Sequence, residues 1–172
     1  PVSKSLESYL KKQGWSSTKI TMVANGVVTP GSLPDRPTPK SEWTIGSVAL
    51  FRPRKGVEVL IQALSNLRQM GEVVRLRAVG PFETVEYEET IKEMAARLGV
   101  ADMIDWIGFA QNVNAEFAKM DVLVLPSLFG EGMPMVILEA MAMGVPVVAS
   151  DVEGIPEVLQ HAHTGLVVPA GD

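Results

Sequence analysis

The 172-residue sequence contains no cysteine, so neither a disulfide framework nor a thiolate metal site is open to it. It has two histidines, His161 and His163, with no third ligand beside them, and the pair reads as a surface turn rather than a metal site. No apolar run reaches the roughly 18 residues needed to span a bilayer. The N-terminal stretch "PVSKSLESYLKKQGW" lacks the apolar region of a signal peptide. A basic excess is missing too: the net charge is −5, which gives no support for nucleic-acid binding through a broad basic surface. No glycine triplet follows the first predicted strand, and Gly80-Pro81 is not a dinucleotide fingerprint, which argues against a dehydrogenase. What is present is apolar: 47% hydrophobic residues argue against disorder, and the length suffices for one sizeable core. The expectation is a cytoplasmic domain that crosses no membrane.

Periodicity organises the chain. Residues 3–14 predict an amphipathic helix closed by Gly14, and 19–26, "KITMVANG", a short strand entering an Asn-Gly turn. Residues 28–42 hold four prolines and no period, as an exposed connection does. From 43 onward strands and helices alternate. Strands are expected at 43–50, 73–80, 103–109, 121–127, 145–150 and 165–168, and helices at 56–71, 84–99 and 112–120, from Met133, and at 155–162. Such alternation implies a parallel sheet covered on both faces, and "VLVL" and "PVVA" are apolar throughout, as doubly buried strands are. The fold predicted is α/β: an open, doubly wound, Rossmann-like parallel sheet.

In that architecture ligands bind beyond the carboxyl ends of the strands. Two of the loops expected there stand out. "FRPRKG" carries Arg52, Arg54 and Lys55; "LFGEGMP" carries Glu131 and opens a helix. Pro134 suits a first helical turn, Gly130 and Gly132 let a backbone approach a ligand, and free N–H groups at a helix start attract phosphate. Glu139 lies inside the helix among Met, Val, Ile, Leu and Ala, about 8–9 Å from its start at roughly 1.5 Å per residue. A carboxylate so placed needs a partner. A nucleoside diphosphate sugar has the right shape: ribose at Glu139, phosphate at the helix start, hexose near Glu131. Taken singly, Glu139 could reach solvent, Glu131 could be favourable charge at a helix start, and "RPRK" a solvated loop.

With those residues in view, "EGMPMVILEAMAMGVPVVASDVEGIPEVLQHAHTGLVVPAGD" resembles the donor-binding half of the retaining group 1 glycosyltransferases of the two-Rossmann-domain GT-B fold. The likeness extends from "KITMVANGV" through "RKGVEVLIQAL" and "LGVADMIDWIGF" to the end. The resemblance implies roles residue by residue. Glu139 binds the nucleotide ribose, and Glu131 lies by the donor sugar. Backbone groups of Gly132, Met133 and Pro134 lie near sugar and diphosphate, Lys55 neutralises the departing diphosphate, and backbone around Gly108 and Phe109 meets the base. It implies no metal and no cofactor beyond the nucleotide sugar itself.

There are departures. The arginine that family members carry five or six residues before this lysine is replaced by Leu50 and Ala49, so Arg52 or Arg54 takes its place. The Gly-Gly before "IPEV" is Glu153-Gly154. Residues 1–18 read as the end of a preceding acceptor-binding domain, or an interdomain helix, and 19–172 as a donor domain lacking its closing helices. On that reading the 172 residues alone transfer no sugar. A peripheral contact with the inner membrane face belongs to the full-length protein. The alternative from another class is a non-catalytic nucleotide- or sugar-phosphate-binding module.

Overall fold

The computed structural model describes residues 1–33, 35, 36, 38 and 41–172. Among them six parallel strands form one sheet in the order β3-β2-β1-β4-β5-β6. The strands are β1 (Trp43–Val48), β2 (Val74–Val79), β3 (Ile104–Gly108), β4 (Val122–Leu125), β5 (Val147–Ser150) and β6 (Leu166–Val168). The helices are α1 (Lys4–Lys12), α2 (Val57–Gln69), α3 (Val85–Arg97), α4 (Val113–Phe117) and α5 (Met135–Ala142). This is the doubly wound, Rossmann-like α/β fold that the periodicity predicts.

Alternation along the strands explains why both faces are covered. Ile45, Leu76, Ala78 and Ile104 point to a core shared with Leu60, Ile61 and Leu64 of α2 and Ile91 and Ala95 of α3. Leu123, Leu125, Val147 and Ala149 point the other way, onto Phe117 of α4 and Ile137 and Ala140 of α5. On β4, Val122 and Val124 reach the first core while Leu123 and Leu125 reach the second, so "VLVL" has no polar face to spare. Helix starts follow their caps: Thr84 accepts from the Tyr87 N–H to open α3, and Asn112 accepts from the Ala115 N–H to open α4.

Two expected elements are not formed. Residues 19–26 make no strand; Ser17–Lys19 is a 3₁₀ turn and the rest runs extended without a neighbouring strand to pair with. Alternating residues supply a strand-like pattern, but the ladder needs an edge, and the sheet ends at β3 and β6. The helix expected at 155–162 shrinks to a 3₁₀ turn, Ile155–Glu157. The chain leaves it at Val158 (φ −113°) and then turns, with Ala162 at φ 58° and the Gln160 N–H donating to Thr164 Oγ1 at 2.9 Å. Pro34, Pro37, Pro39 and Lys40 of the expected proline-rich connection lie outside the described residues.

The segment before β1 is fastened at both ends of α5. Asn25 Nδ2 donates to the Met133 carbonyl at 3.0 Å, just before the helix. Arg36 donates to the carbonyls of Met143, Met120 and Phe117 at 3.1, 2.7 and 3.0 Å, at the C-terminal ends of α5 and α4. A guanidinium suits those carbonyls because a helix leaves its last ones unpaired.

Helix α1 is held by its N-terminus. Ser3 accepts from the Leu6 N–H at 3.2 Å, and the Glu157 carboxylate accepts from the N–H groups of Lys4 and Ser5 at 2.7 and 2.8 Å. Desolvation pushes the Glu157 carboxyl up, but those two backbone bonds outweigh it and hold it below the ordinary glutamate value. A depressed folded pKa contributes stability above the unfolded value, about 4.3, and loses it as pH falls through the folded value. Protection of the Lys4 and Ser5 amides against exchange is therefore expected to fall as the solution is acidified through the folded Glu157 value, and Glu157→Gln to remove that pH dependence. Exchange that tracks pH identically in both proteins would rule this cap out.

Candidate functional site

The sheet changes direction between β1 and β4: from β1 the chain winds outward through β2 and β3, and from β4 through β5 and β6. The loops leaving β1 and β4 therefore splay around one crevice at the carboxyl edge, where such sheets take their ligands. Lys55 ends the 3₁₀ turn Pro53–Lys55 in the first loop. Gly56 follows at φ 67°, and a Cβ there would stand 2.0 Å from the Pro126 carbonyl oxygen, so only glycine lets the two loops come this close. The Leu128 N–H donates to the Arg54 carbonyl at 2.9 Å, and Arg54 Nη1 donates to the Gly130 carbonyl at 2.8 Å.

This stitching brings Lys55 and Glu131 together. Lys55 Nζ donates to Glu131 Oε1, and Ser127 Oγ donates to the same oxygen at 2.6 Å. Glu131 is 5% exposed. A carboxylate this deep is tolerable because a cation and a hydroxyl both meet it. Lys55 has three N–H donors, so one bond to Glu131 leaves others for a ligand.

A third loop, leaving β5, locks the backbone of Glu131 from both sides. The Glu131 N–H donates to Glu153 Oε2 at 3.0 Å, and the Gly154 N–H donates to the Glu131 carbonyl at 3.0 Å. A Cβ on Gly154 would lie 1.4 Å from the Gly132 carbonyl oxygen, so the loops touch backbone to backbone. Glu153 adopts φ 33°, a left-handed conformation that costs a non-glycine residue about 1–3 kcal/mol.

Glu139 sits on α5, half-buried, in a groove of about 310 Å³ that it shares with Gly26, Val27, Val28, Asn114 and Met135. Pro134 is not inside the first turn of α5, as the sequence reading has it, but is its N-cap, with extended backbone (φ −70°, ψ 118°). Its ring still cannot donate; the Ile137 N–H returns to the Pro134 carbonyl at 3.2 Å, which leaves the N–H groups of Met135 and Val136 at the helix start for a ligand. At the far side, Gly108 ends β3 at φ 70° and accepts from the Gly80 N–H at 2.7 Å; Phe109 beyond it is 78% exposed. Phe51, Phe82 and Trp106 pack into one cluster beneath, with ring centroids 5.1–6.1 Å apart.

Thus Lys55, Glu131 and Gly132 share the crevice, with Met133 and Pro134 leading from it into α5. Glu139 lines its own groove along that helix. The two arginines are engaged elsewhere: Arg52 pairs with Glu83 at 3.2 Å, and Arg54 braces the Gly130 loop. Ser127 and the bond from Glu131 to Glu153 were not foreseeable as partners. Ser127 carries a faint signal in closing the apolar strand "VLVLPS" four residues before Glu131. Among the described residues no group of three His, Asp or Glu could hold a metal ion. Nor is any described helix long and apolar enough to cross a membrane.

The sheet order and the crevice at its switch point define a Rossmann-like α/β class, whose ligands lie beyond the carboxyl ends of the strands. The chain belongs to the glycosyl transferases group 1 family, whose model matches residues 32–172. It is 30% identical over 180 residues to the amylovoran biosynthesis glycosyltransferase AmsK of Erwinia amylovora, covering all of this chain and 44% of that protein. It is 36% identical over 133 residues to a GDP-mannose-dependent alpha-(1-6)-phosphatidylinositol monomannoside mannosyltransferase of Mycobacterium tuberculosis (strain ATCC 25618 / H37Rv), covering 73% of this chain and 34% of that one. The crystal structure of Anabaena Alr3699/HepE in complex with UDP and glucose superposes with a TM-score of 0.86 at 22% identity, over 99% of this chain and 49% of its own. The chain spans less than half the length of these relatives. The first two are sugar transferases by name, which, with the family, does not favour a non-catalytic module.

Proposed function

We propose that this chain is the donor-binding half of a retaining glycosyltransferase and holds a nucleoside diphosphate sugar across the β1/β4 crevice. The observation that carries this reading is the Lys55–Glu131 pair, buried at the switch point and beside the open start of α5. A diphosphate fits between Lys55 and the first N–H groups of α5, where a fixed cation and a helix dipole stabilise the charge that grows as the sugar leaves. Glu139, in its groove along the helix, takes the ribose hydroxyls. Glu131, held by Lys55 and Ser127, faces the sugar. Gly108 and Phe109 border the base. In this reading Lys55 and the helix start do the work a metal does in other transferases. The acceptor is held by a preceding domain, and any contact with the inner membrane face is made there.

The test is calorimetry on the 172-residue chain with UDP, GDP and ADP and with their sugars. One nucleotide is expected to bind, and no sugar to be transferred by these residues alone. Glu139→Gln is expected to weaken that nucleotide by roughly 10–100-fold, the value of charged hydrogen bonds worth about 1.5–3 kcal/mol. A 2′,3′-dideoxy nucleotide should be indifferent to the substitution. Unchanged nucleotide affinity in Glu139→Gln would refute the ribose assignment.

A further inference from the structure

We infer that Glu153 is a positioning residue for Glu131, and through it decides how well the crevice discriminates the sugar from the bare nucleotide. For its ligand this rests on the donor-binding reading; for its geometry it does not. Both peptide groups flanking the Glu131 Cα are taken by one dipeptide: its N–H by Glu153 Oε2 at 3.0 Å and its carbonyl by the Gly154 N–H at 3.0 Å. The carbonyl bond comes from backbone and needs no particular side chain at 153. The N–H bond needs an acceptor of glutamate's reach. Glu153 makes that bond from a backbone at φ 33°, which glycine would adopt without strain. A glutamate in a glycine conformation is therefore tied to one task, fixing the Glu131 peptide.

The surroundings show what the fixed peptide serves. Glu131 and Glu153 open onto a cavity of about 380 Å³ between the Gly130–Gly132 loop and α1, walled by Ser5, Leu6 and Tyr9. Tyr9 is 57% exposed and lines this mostly apolar cavity together with Glu131 and Glu153. Aromatic face plus carboxylate suits a polyhydroxylated ring, whose C–H face is apolar and whose rim donates hydrogen bonds. With its peptide locked, the Glu131 carboxylate meets that rim in one orientation. With the peptide free, the carboxylate keeps its bonds from Lys55 and Ser127 but is no longer oriented from the backbone side.

The experiment compares Glu153→Gly with Glu153→Gln in the 172-residue chain. Without ligand, exchange of the Glu131 amide is followed by NMR. Glu153→Gly is expected to speed it about tenfold or more, while Glu153→Gln, whose amide oxygen still accepts, stays within about threefold of wild type. With UDP and UDP-glucose as probes, Glu153→Gly should bind UDP normally and lose about tenfold of the gain the glucosyl group brings, and Glu153→Gln should retain that gain. Unchanged Glu131 exchange in Glu153→Gly overturns the positioning role. So does a Glu153→Gln that behaves like Glu153→Gly, since charge rather than acceptor geometry would then matter. Altered exchange in a wild-type background that binds neither probe counts against the donor reading, not against the positioning.

Discussion

Lys55→Met is expected to destabilise the chain by about 3–5 kcal/mol, because it leaves the Glu131 carboxylate buried with Ser127 as its remaining side-chain donor. Glu131→Gln is expected to cost less, since the Lys55 side chain, 14% exposed, lies nearer to water than the Glu131 side chain at 6%, and an amide oxygen can still accept from it. The double variant Lys55→Met/Glu131→Gln should recover most of the stability lost in Lys55→Met, giving a large coupling in a double-mutant cycle. It should not recover function. In the donor-binding reading, Lys55→Met weakens a nucleoside diphosphate far more than a nucleoside, and flattens the salt dependence of binding. Additive stability losses would show that Lys55 and Glu131 do not act as a pair. Equal losses for nucleoside and diphosphate would show that Lys55 does not meet phosphate.

Gly154→Ala is expected to be the most disruptive single methyl. The added Cβ would fall 1.4 Å from the Gly132 carbonyl oxygen and 2.6 Å from its carbon, with the Ser3 Cβ at 3.3 Å. The obstacle is backbone, so no rotamer relieves it, and the Glu131–Gly132 loop must move away from β5. Overpacking of this kind costs on the order of 3 kcal/mol, and more where both partners are pinned. For a chain of this size that corresponds to a fall in Tm of roughly 6–12 °C. Gly26→Ala is the matched control: nothing lies within 4 Å of its added methyl, and it should be near neutral. A Gly154→Ala as stable as that control would mean that the loops are not packed as described. Binding of a sugar nucleotide should suffer before folding does, because the displaced loop is the one carrying Glu131.

How much of this was legible beforehand depends on what each feature needs. The sheet was legible because "VLVL" and "PVVA" announce burial on both faces, and because α2 and α3 carry their apolar residues at helical spacing. Those are local properties. The segment 19–26 reads as a strand for equally local reasons, yet a strand exists only when another offers its edge, and none does there. Residues 155–162 leave the helical path directly after Glu157, at Val158 with φ −113°, and pass on to Ala162 at φ 58°, which no propensity scale reveals for an alanine. The site divides the same way. Lys55, Glu131 and Glu139 stand in recognisable local contexts, a basic loop and a helix start. Their partners come from other loops. The Lys55–Glu131 pair joins residues 76 positions apart, and Glu153 reaches Glu131 over 22. Such pairings depend on strand order, which the linear sequence does not encode locally.

The fastening of the segment before β1 has a mechanical consequence. Asn25 is tied at one end of α5 and Arg36 at the other, while Gly26, Val27 and Val28 between them form one wall of the groove that holds Glu139. Along the helix, the ten steps from Met133 to Met143 measure about 15 Å at roughly 1.5 Å per residue. The eleven steps of chain from Asn25 to Arg36 could reach about 36 Å at roughly 3.3 Å per residue. Neither tie therefore requires the chain between them to be fully extended. The groove beside Glu139 thus has for one wall a loop tied to α5 by the side chains of Asn25 and Arg36, and for its floor a helix anchored in the core by Ile137 and Ala140, so the wall depends on two side chains and the floor on the sheet.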